Sequence, residues 1–92
     1  MNHDIETIFE DRRGRMKLKV IRKPGKYGPQ YSSLIYRVFK KEDDAQGNPV
    51  WEETHWMDEH DVLNSLRLHE VADDVIAEGK RKDSYKQAKE AA

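Results

Sequence analysis

The side chains of this sequence that could hold a metal ion are its histidines and carboxylates, because it contains no cysteine. His55, His60 and His69 lack the spacing of zinc ligands. The segment His69-Glu-Val-Ala-Asp73 begins like the His-Glu-x-x-His zinc helix, but aspartate stands at its fifth position. The acidic run Glu42-Asp43-Asp44 is too short and irregular for an EF-hand and is typical of a turn. We therefore predict no metal site.

Side chains for nucleophilic catalysis are present, but they lack the surroundings that such chemistry needs. Ser32 and Ser33 do not lie in a Gly-x-Ser-x-Gly turn. Gly25 and Gly28 are not followed by the Gly-Lys-Ser/Thr of a phosphate-binding loop. We therefore predict no enzyme activity, no cofactor and no small-molecule substrate.

The charges of the chain are separated into two opposed blocks. Eleven Lys or Arg residues and no Asp or Glu lie between Arg12 and Lys41. The stretch from Glu42 to Glu78 holds twelve acidic residues and a single base, Arg67. The formal net charge of −1 therefore conceals a basic and an acidic block of nearly equal size. Since a surface of one sign attracts a partner of the other sign, this pattern indicates the class of partner.

The basic block also contains aromatic residues, and this combination is typical of surfaces that bind single-stranded nucleic acid. Cations contact the phosphates of a single strand, while aromatic rings stack on its unpaired bases. We predict that Lys and Arg side chains of the basic block bind phosphates and that nearby rings stack on bases. The predicted binding residues are Lys17, Lys19, Arg22, Lys23, Lys26, Tyr27, Tyr31, Arg37, Phe39, Lys40 and Lys41.

Three other interpretations of the basic block remain open at this point. Cross-strand pairs with Glu52 and Glu53 could neutralise Arg37 or Lys40. An acidic helix could cover the basic face of a sheet, and lysines could protect an edge strand from aggregation. A further alternative function is a protein–protein interaction or self-assembly module, in which the basic block of one molecule docks on the acidic block of another.

Three segments have the composition of β-strands. Met16–Arg22 alternates apolar and basic residues, and the turn formers of residues 23–29 end it. Tyr31–Lys41 is rich in β-branched and aromatic residues, and Val50–Met57 forms the third strand after a polar loop at residues 42–49. Because the connections are short, an antiparallel meander is the simplest arrangement.

One helix is predicted after the strands. Asp58 is a suitable N-cap, and the helix is expected to run to about Glu78 and to stop near Gly79. At 100° per residue, its apolar stripe contains Val62, Leu68, Ala72, Val75 and Ile76, with Leu66 beside the stripe and Leu63 and Val71 outside it.

Composition and the two ends of the chain indicate its domain organisation and its location. Residues 1–14 are expected to form a flexible or partly ordered arm, in which a helix turn or an added strand remains open. Residues 15–79 are expected to form a single domain, and residues 80–92 a charged tail or a helix extension. With 36% hydrophobic and 38% charged residues the core must be small, which favours a homodimer. No signal peptide and no membrane-spanning segment are expected, so we predict a cytoplasmic protein.

Residues from about 31 to 76 also carry a pattern that resembles a family of small bacterial proteins without an assigned activity. Its form is Arg-x-aromatic-Lys, then Gly, then Trp-x-x-Thr-x-aromatic and Asp-Leu. The matching residues are Arg37, Phe39, Lys40, Asp44, Gly47, Trp51, Thr54, Trp56, Asp61, Val62 and Leu63, with Ala72 and Ile76 after them.

The order of strands followed by a helix is similar to that of the PC4-type transcriptional coactivators, whose dimers bind single-stranded DNA on a curved basic sheet. That resemblance implies four strands before the helix, so residues 5–13 would have to supply one. We therefore predict an α+β fold: a three- or four-stranded antiparallel β-meander followed by one C-terminal α-helix packed on the sheet.

Overall fold

The computed structural model describes the backbone of residues 4–91 and the side chains of residues 4–86. Four strands are followed by one helix: β1 (Glu6–Arg13), β2 (Met16–Lys23), β3 (Gln30–Lys40), β4 (Trp51–Thr54) and α1 (Glu59–Ala91). The strands form a single sheet in the order β1-β2-β3-β4, and every neighbouring pair is antiparallel. The predicted α+β meander with a C-terminal helix is therefore confirmed, in its four-stranded form.

The additional strand comes from the N-terminal segment. Residues 6–13 pair with β2 instead of fraying, and the two strands are joined by a two-residue turn at Gly14-Arg15. Gly14 has a positive φ of 58°, a conformation that glycine adopts without steric penalty. The N-terminal arm is therefore ordered as a strand over residues 6–13; residues 1–3 lie outside the described residues.

The core lies between β2 and the helix. Met16, Leu18 and Val20 alternate along β2 and are buried against Leu68 and Ala72 of α1. The helix packs on β1, β2 and β3, so it covers one face of the sheet. Ile8, Phe9, Ile35, Val71, Val75 and Ile76 surround this small core.

The buried stripe of the helix is rotated from the one that apolar spacing predicted. Asp61 and Ser65 are buried at its N-terminal end, whereas Val62 and Leu66 are more than half exposed. Val71, which the spacing placed outside the stripe, packs against the core. Asp61 and Ser65 are therefore buried where the spacing of apolar residues predicted that Val62 and Leu66 would be.

The helix also passes through Gly79 instead of stopping there, and it continues to Ala91. A Cβ atom at position 79 would lie 2.9 Å from the ring of Tyr31, so the missing side chain lets the sheet approach the helix. The predicted start is close to the observed one, because the Asp58 carbonyl accepts the first helical hydrogen bond from the Asp61 N–H at 3.0 Å. The last strand is shorter than predicted, ending at Thr54.

Candidate nucleic-acid interface

Strand register assigns the basic residues to two faces of the sheet. Since side chains alternate along a strand, the neighbours of the buried residues Met16, Leu18 and Val20 point away from the helix. We call the covered side the helix face and the other side the open face. On β2 the open face carries Lys17, Lys19, Ile21 and Lys23.

On the helix face, Arg22 and Tyr31 bind the same carboxylate of the helix. Arg22 Nη2 lies 2.9 Å from Asp83 Oδ1, and the Tyr31 hydroxyl donates a hydrogen bond to Asp83 Oδ2. The hydrogen bond from Arg22, followed by the one from Tyr31, lowers the pKa of Asp83. Burial raises the pKa of Tyr31, and the Asp83 carboxylate raises it further. These contacts attach the C-terminal half of the helix to the sheet.

A second set of ion pairs on the helix face fixes the start of the helix. Asp61, 1% exposed, accepts a hydrogen bond of 3.0 Å from Arg15 and lies 3.8 Å from Arg37 Nη1. Asp61 Oδ2 also accepts the Asp58 backbone N–H at 3.2 Å, as the third helical residue does in a capping box. The Arg15 guanidinium, hydrogen-bonded to Asp58, lowers the pKa of that carboxyl to about 2. Arg37 is therefore engaged within the fold.

The predicted binding residues consequently do not share one surface. Arg22, Tyr31 and Arg37 contact the helix or its N-cap, and Phe39 lies on the helix face by its pairing with Glu52. Lys40 and Lys41 lie near acids, at 3.3 Å from Asp43 and 2.8 Å from Glu52. The open face carries Lys17, Lys19, Lys23 and Lys40, and the β2–β3 loop carries Lys26 and Tyr27.

The open face holds several cations that form no close ion pair among the described residues. Within the described residues, Lys17, Lys19 and Lys23 form no ion pair within 4.0 Å, nor does Arg12, which β1 places directly opposite Lys17. Lys26 likewise forms no ion pair in the described part of the chain, and its Nζ lies 5.5 Å from the ring centroid of the exposed Tyr27. The basic block is therefore divided: Arg22 and Arg37 pair with acids on the helix face, whereas Lys17, Lys19 and Lys23 on the open face form no ion pair within the described residues.

Two aromatic rings on the open face were missed by the sequence-based prediction. Tyr36 is opposite Lys17, and Trp51 is opposite Lys40, so both rings lie on the same side as the unpaired cations. Trp51 is 61% exposed. The alternation along β2 shows that Lys17 and Lys19 share a face. It does not show which residues of β3 and β4 lie on that face, because this depends on the register between the strands. Only the register could have identified these rings.

The rings and cations border one shallow concavity of about 760 Å³. The residues that line it are Arg12, Arg15, Lys17, Tyr36, Val38, Phe39, Lys40, Trp51, Glu52 and Glu53, so the predicted Phe39 also borders it. Tyr36 is half-buried there, and burial raises the pKa of its hydroxyl, with smaller contributions from Glu53 and Glu10. The concavity thus combines positive charge, three aromatic residues and two carboxylates.

Other chemistry has no comparable site among the residues that the structure describes. In that part of the chain, no three His, Cys, Asp or Glu side chains cluster closely enough to hold a metal ion. Within residues 4–91, no helix combines the length and apolar character needed to cross a bilayer. Comparisons with protein-family models, with curated protein sequences and with solved structures found no match. The resemblances to small bacterial proteins and to the PC4-type layout therefore stay predictions.

Proposed function

We propose that this protein is a non-catalytic module that binds single-stranded DNA or RNA on the open face of its sheet, in the cytoplasm. The observation that carries the proposal is a set of cations on that face that form no ion pair within the described residues, beside the rings of Tyr36 and Trp51. These cations are Arg12, Lys17, Lys19 and Lys23. Cations of this kind hold phosphates, and exposed rings stack on bases.

A single strand fits this surface better than a duplex does. The bases of a duplex are stacked on each other, so rings on a sheet cannot reach their faces. Trp51 is 61% exposed and Tyr36 is half-buried, and both lie on the sheet face opposite the helix. The proposed contact residues are Arg12, Lys17, Lys19, Lys23, Lys26, Tyr27, Tyr36, Lys40 and Trp51.

Salt dependence gives the first test. Four phosphates neutralised by Arg12, Lys17, Lys19 and Lys23 correspond to a log–log slope of about −3, at about −0.7 per phosphate. Fluorescence anisotropy with a labelled, mixed-sequence oligonucleotide of about twelve nucleotides measures this slope between about 50 and 200 mM salt. Affinity that does not change across this range, or equal affinity for the corresponding duplex, would contradict the proposal.

Charge reversal on the open face gives the second test. The double variant Lys17→Glu, Lys19→Glu is expected to weaken oligonucleotide binding at least roughly tenfold, because two phosphate contacts become repulsive. The matched control is Lys80→Glu, Lys86→Glu, which changes the net charge equally at exposed positions of the helix. Equal loss of binding in the two variants would mean that only net charge matters.

Removal of one ring gives the third test. Trp51→Ala is expected to weaken binding by about 1–3 kcal/mol, the contribution of one base–aromatic stack. Tyr85→Ala is the control, because Tyr85 is a similarly exposed ring on the helix. An unchanged affinity in the Trp51 variant, with its melting temperature also unchanged, would show that bases do not stack at this position.

An exposed apolar surface favours a second candidate function, protein–protein interaction including homodimer formation. Trp56 is 83% exposed, and Met57, Val62, Leu63 and Leu66 near the start of the helix are each more than 40% exposed. Light scattering across a concentration series tests this candidate. A dimer that Leu63→Glu, Leu66→Glu dissociates would support it, whereas a monomer at every concentration would exclude self-association.

A further inference from the structure

One carboxylate of the open face lies between the two aromatic rings. Glu53 and Trp51 are two residues apart on β4, so their side chains share a face at a spacing of about 6.8 Å. Glu53 pairs with Val38, which makes Tyr36 its diagonal neighbour on β3, at about 7–8 Å. A base stacked on either ring would therefore place its polar edge within reach of this carboxylate.

The Glu53 carboxylate has no partner that would explain its position. It is exposed and forms no ion pair within 4.0 Å in the described part of the chain, while its neighbour Glu52 binds Lys41. A carboxylate on a surface that only binds phosphates would weaken binding, because it repels the polyanion. Its place in the concavity is better explained by a contact with the bases themselves.

We infer that Glu53 selects bases that carry an exocyclic amino group, and in particular favours cytosine over thymine or uracil. A carboxylate is an acceptor only, and the N4 amino group of cytosine donates to it. Thymine and uracil present a carbonyl oxygen at the corresponding position, which repels the carboxylate. This inference rests on the proposed function and specifies which single strands the open face prefers.

The experiment compares two pyrimidine oligonucleotides of equal length and charge. Oligo(dC) and oligo(dT) of about twelve nucleotides are titrated by fluorescence anisotropy at mildly alkaline pH, where cytosine is unprotonated. We expect oligo(dC) to bind at least about fivefold more tightly than oligo(dT). An abasic oligomer with the same number of phosphates measures the contribution of the backbone alone.

Two glutamate variants test whether the preference for cytosine comes from Glu53. In Glu53→Gln the ratio of the two affinities is expected to fall towards one, because the amide donates to thymine as well as it accepts from cytosine. Glu70→Gln is the matched control, because it removes an equal charge at an exposed position of the helix, away from the open face. Its effect on the two oligonucleotides is expected to be equal.

The outcomes separate this inference from the proposed function. Equal affinity of the unchanged protein for both oligomers, or a preference that Glu53→Gln leaves intact, overturns the inference while single-strand binding stands. Binding of the abasic oligomer as tight as that of oligo(dC) overturns it as well. Absence of binding to every oligomer overturns the proposed function itself.

Discussion

The two faces of the sheet use the same residue types for different purposes. On the helix face, Arg22 and Arg37 bind carboxylates of the helix and its N-cap. On the open face, Lys17 and Lys19 belong to the same strand as Arg22 but form no ion pair within 4.0 Å among the described residues. The comparison shows that the acids of the helix and its N-cap pair with Arg22 and Arg37 but not with Lys17 or Lys19.

The chemistry of the two kinds of cation agrees with this division. Arginine presents a planar set of donors that can contact two carboxylates at once, as Arg15 does with Asp58 and Asp61. Lysine is a strongly hydrated point charge on a flexible stem, so it remains in solvent unless a partner is close. The helix face is thus a structural surface, and the open face is available to a ligand.

The largest expected effect comes from charge reversal at matched positions on the two faces. Arg37→Glu places a third carboxylate beside Asp58 and the buried Asp61, and we expect a loss of about 3 kcal/mol in the free energy of unfolding. Lys19→Glu on the open face is expected to change it by less than about 0.5 kcal/mol. Urea denaturation measures both, and equal losses would remove the distinction between the faces.

An intermediate effect is expected where the helix face is most closely packed. Gly79→Ala gains about 1 kcal/mol of helix propensity, but its Cβ would lie 2.9 Å from the Tyr31 ring. Because Asp83 holds that ring by its hydroxyl, we expect a net loss of about 1–2 kcal/mol. Against a Tyr31→Ala background the same substitution is expected to stabilise the protein, which a double-mutant cycle by chemical denaturation can measure. A stabilising Gly79→Ala in the unchanged protein would contradict the close approach.

The smallest expected effect is a pH dependence of stability that comes from the ion pairs of the helix face. Arg15 lowers the pKa of Asp58 from 3.8 to about 2, and Arg22 lowers that of Asp83. A carboxyl whose pKa is lower in the folded state stabilises the protein above its unfolded pKa, and this contribution is lost as the pH falls through the folded value. The melting temperature is therefore expected to fall between about pH 4 and about pH 2, and less steeply in Asp58→Asn. Lys19→Gln, on the open face, is expected to keep the original slope.

Local sequence patterns predicted the strands and the position of the helix start well. The alternation of Met16, Leu18 and Val20 identified the buried side of β2, and the acidic first turn located the helix. Patterning failed at Gly79, where local preference favours a stop but packing against Tyr31 requires a small residue. It also failed at residues 6–13, whose many charges are compatible with an edge strand once β2 supplies the pairing.

The residues of the candidate site were only partly predictable, because strand pairing and contacts between residues far apart in the sequence decide which side chains lie on the open face. The sequence separated eleven cations from twelve acids, which was sufficient to indicate a charged partner. It could not indicate that Arg22 would meet Asp83, since the two lie 61 residues apart. The rings of Tyr36 and Trp51 were missed for the same reason.

By itself the amino-acid order determined the secondary structure of the central segments and the separation of charge, because both depend on near neighbours along the chain. The tertiary structure alone decided which cations remain free. That choice depends on strand register and on the rotation of the helix, which place Asp61 and Asp83 over one side of the sheet and leave Lys17 and Lys19 on the other.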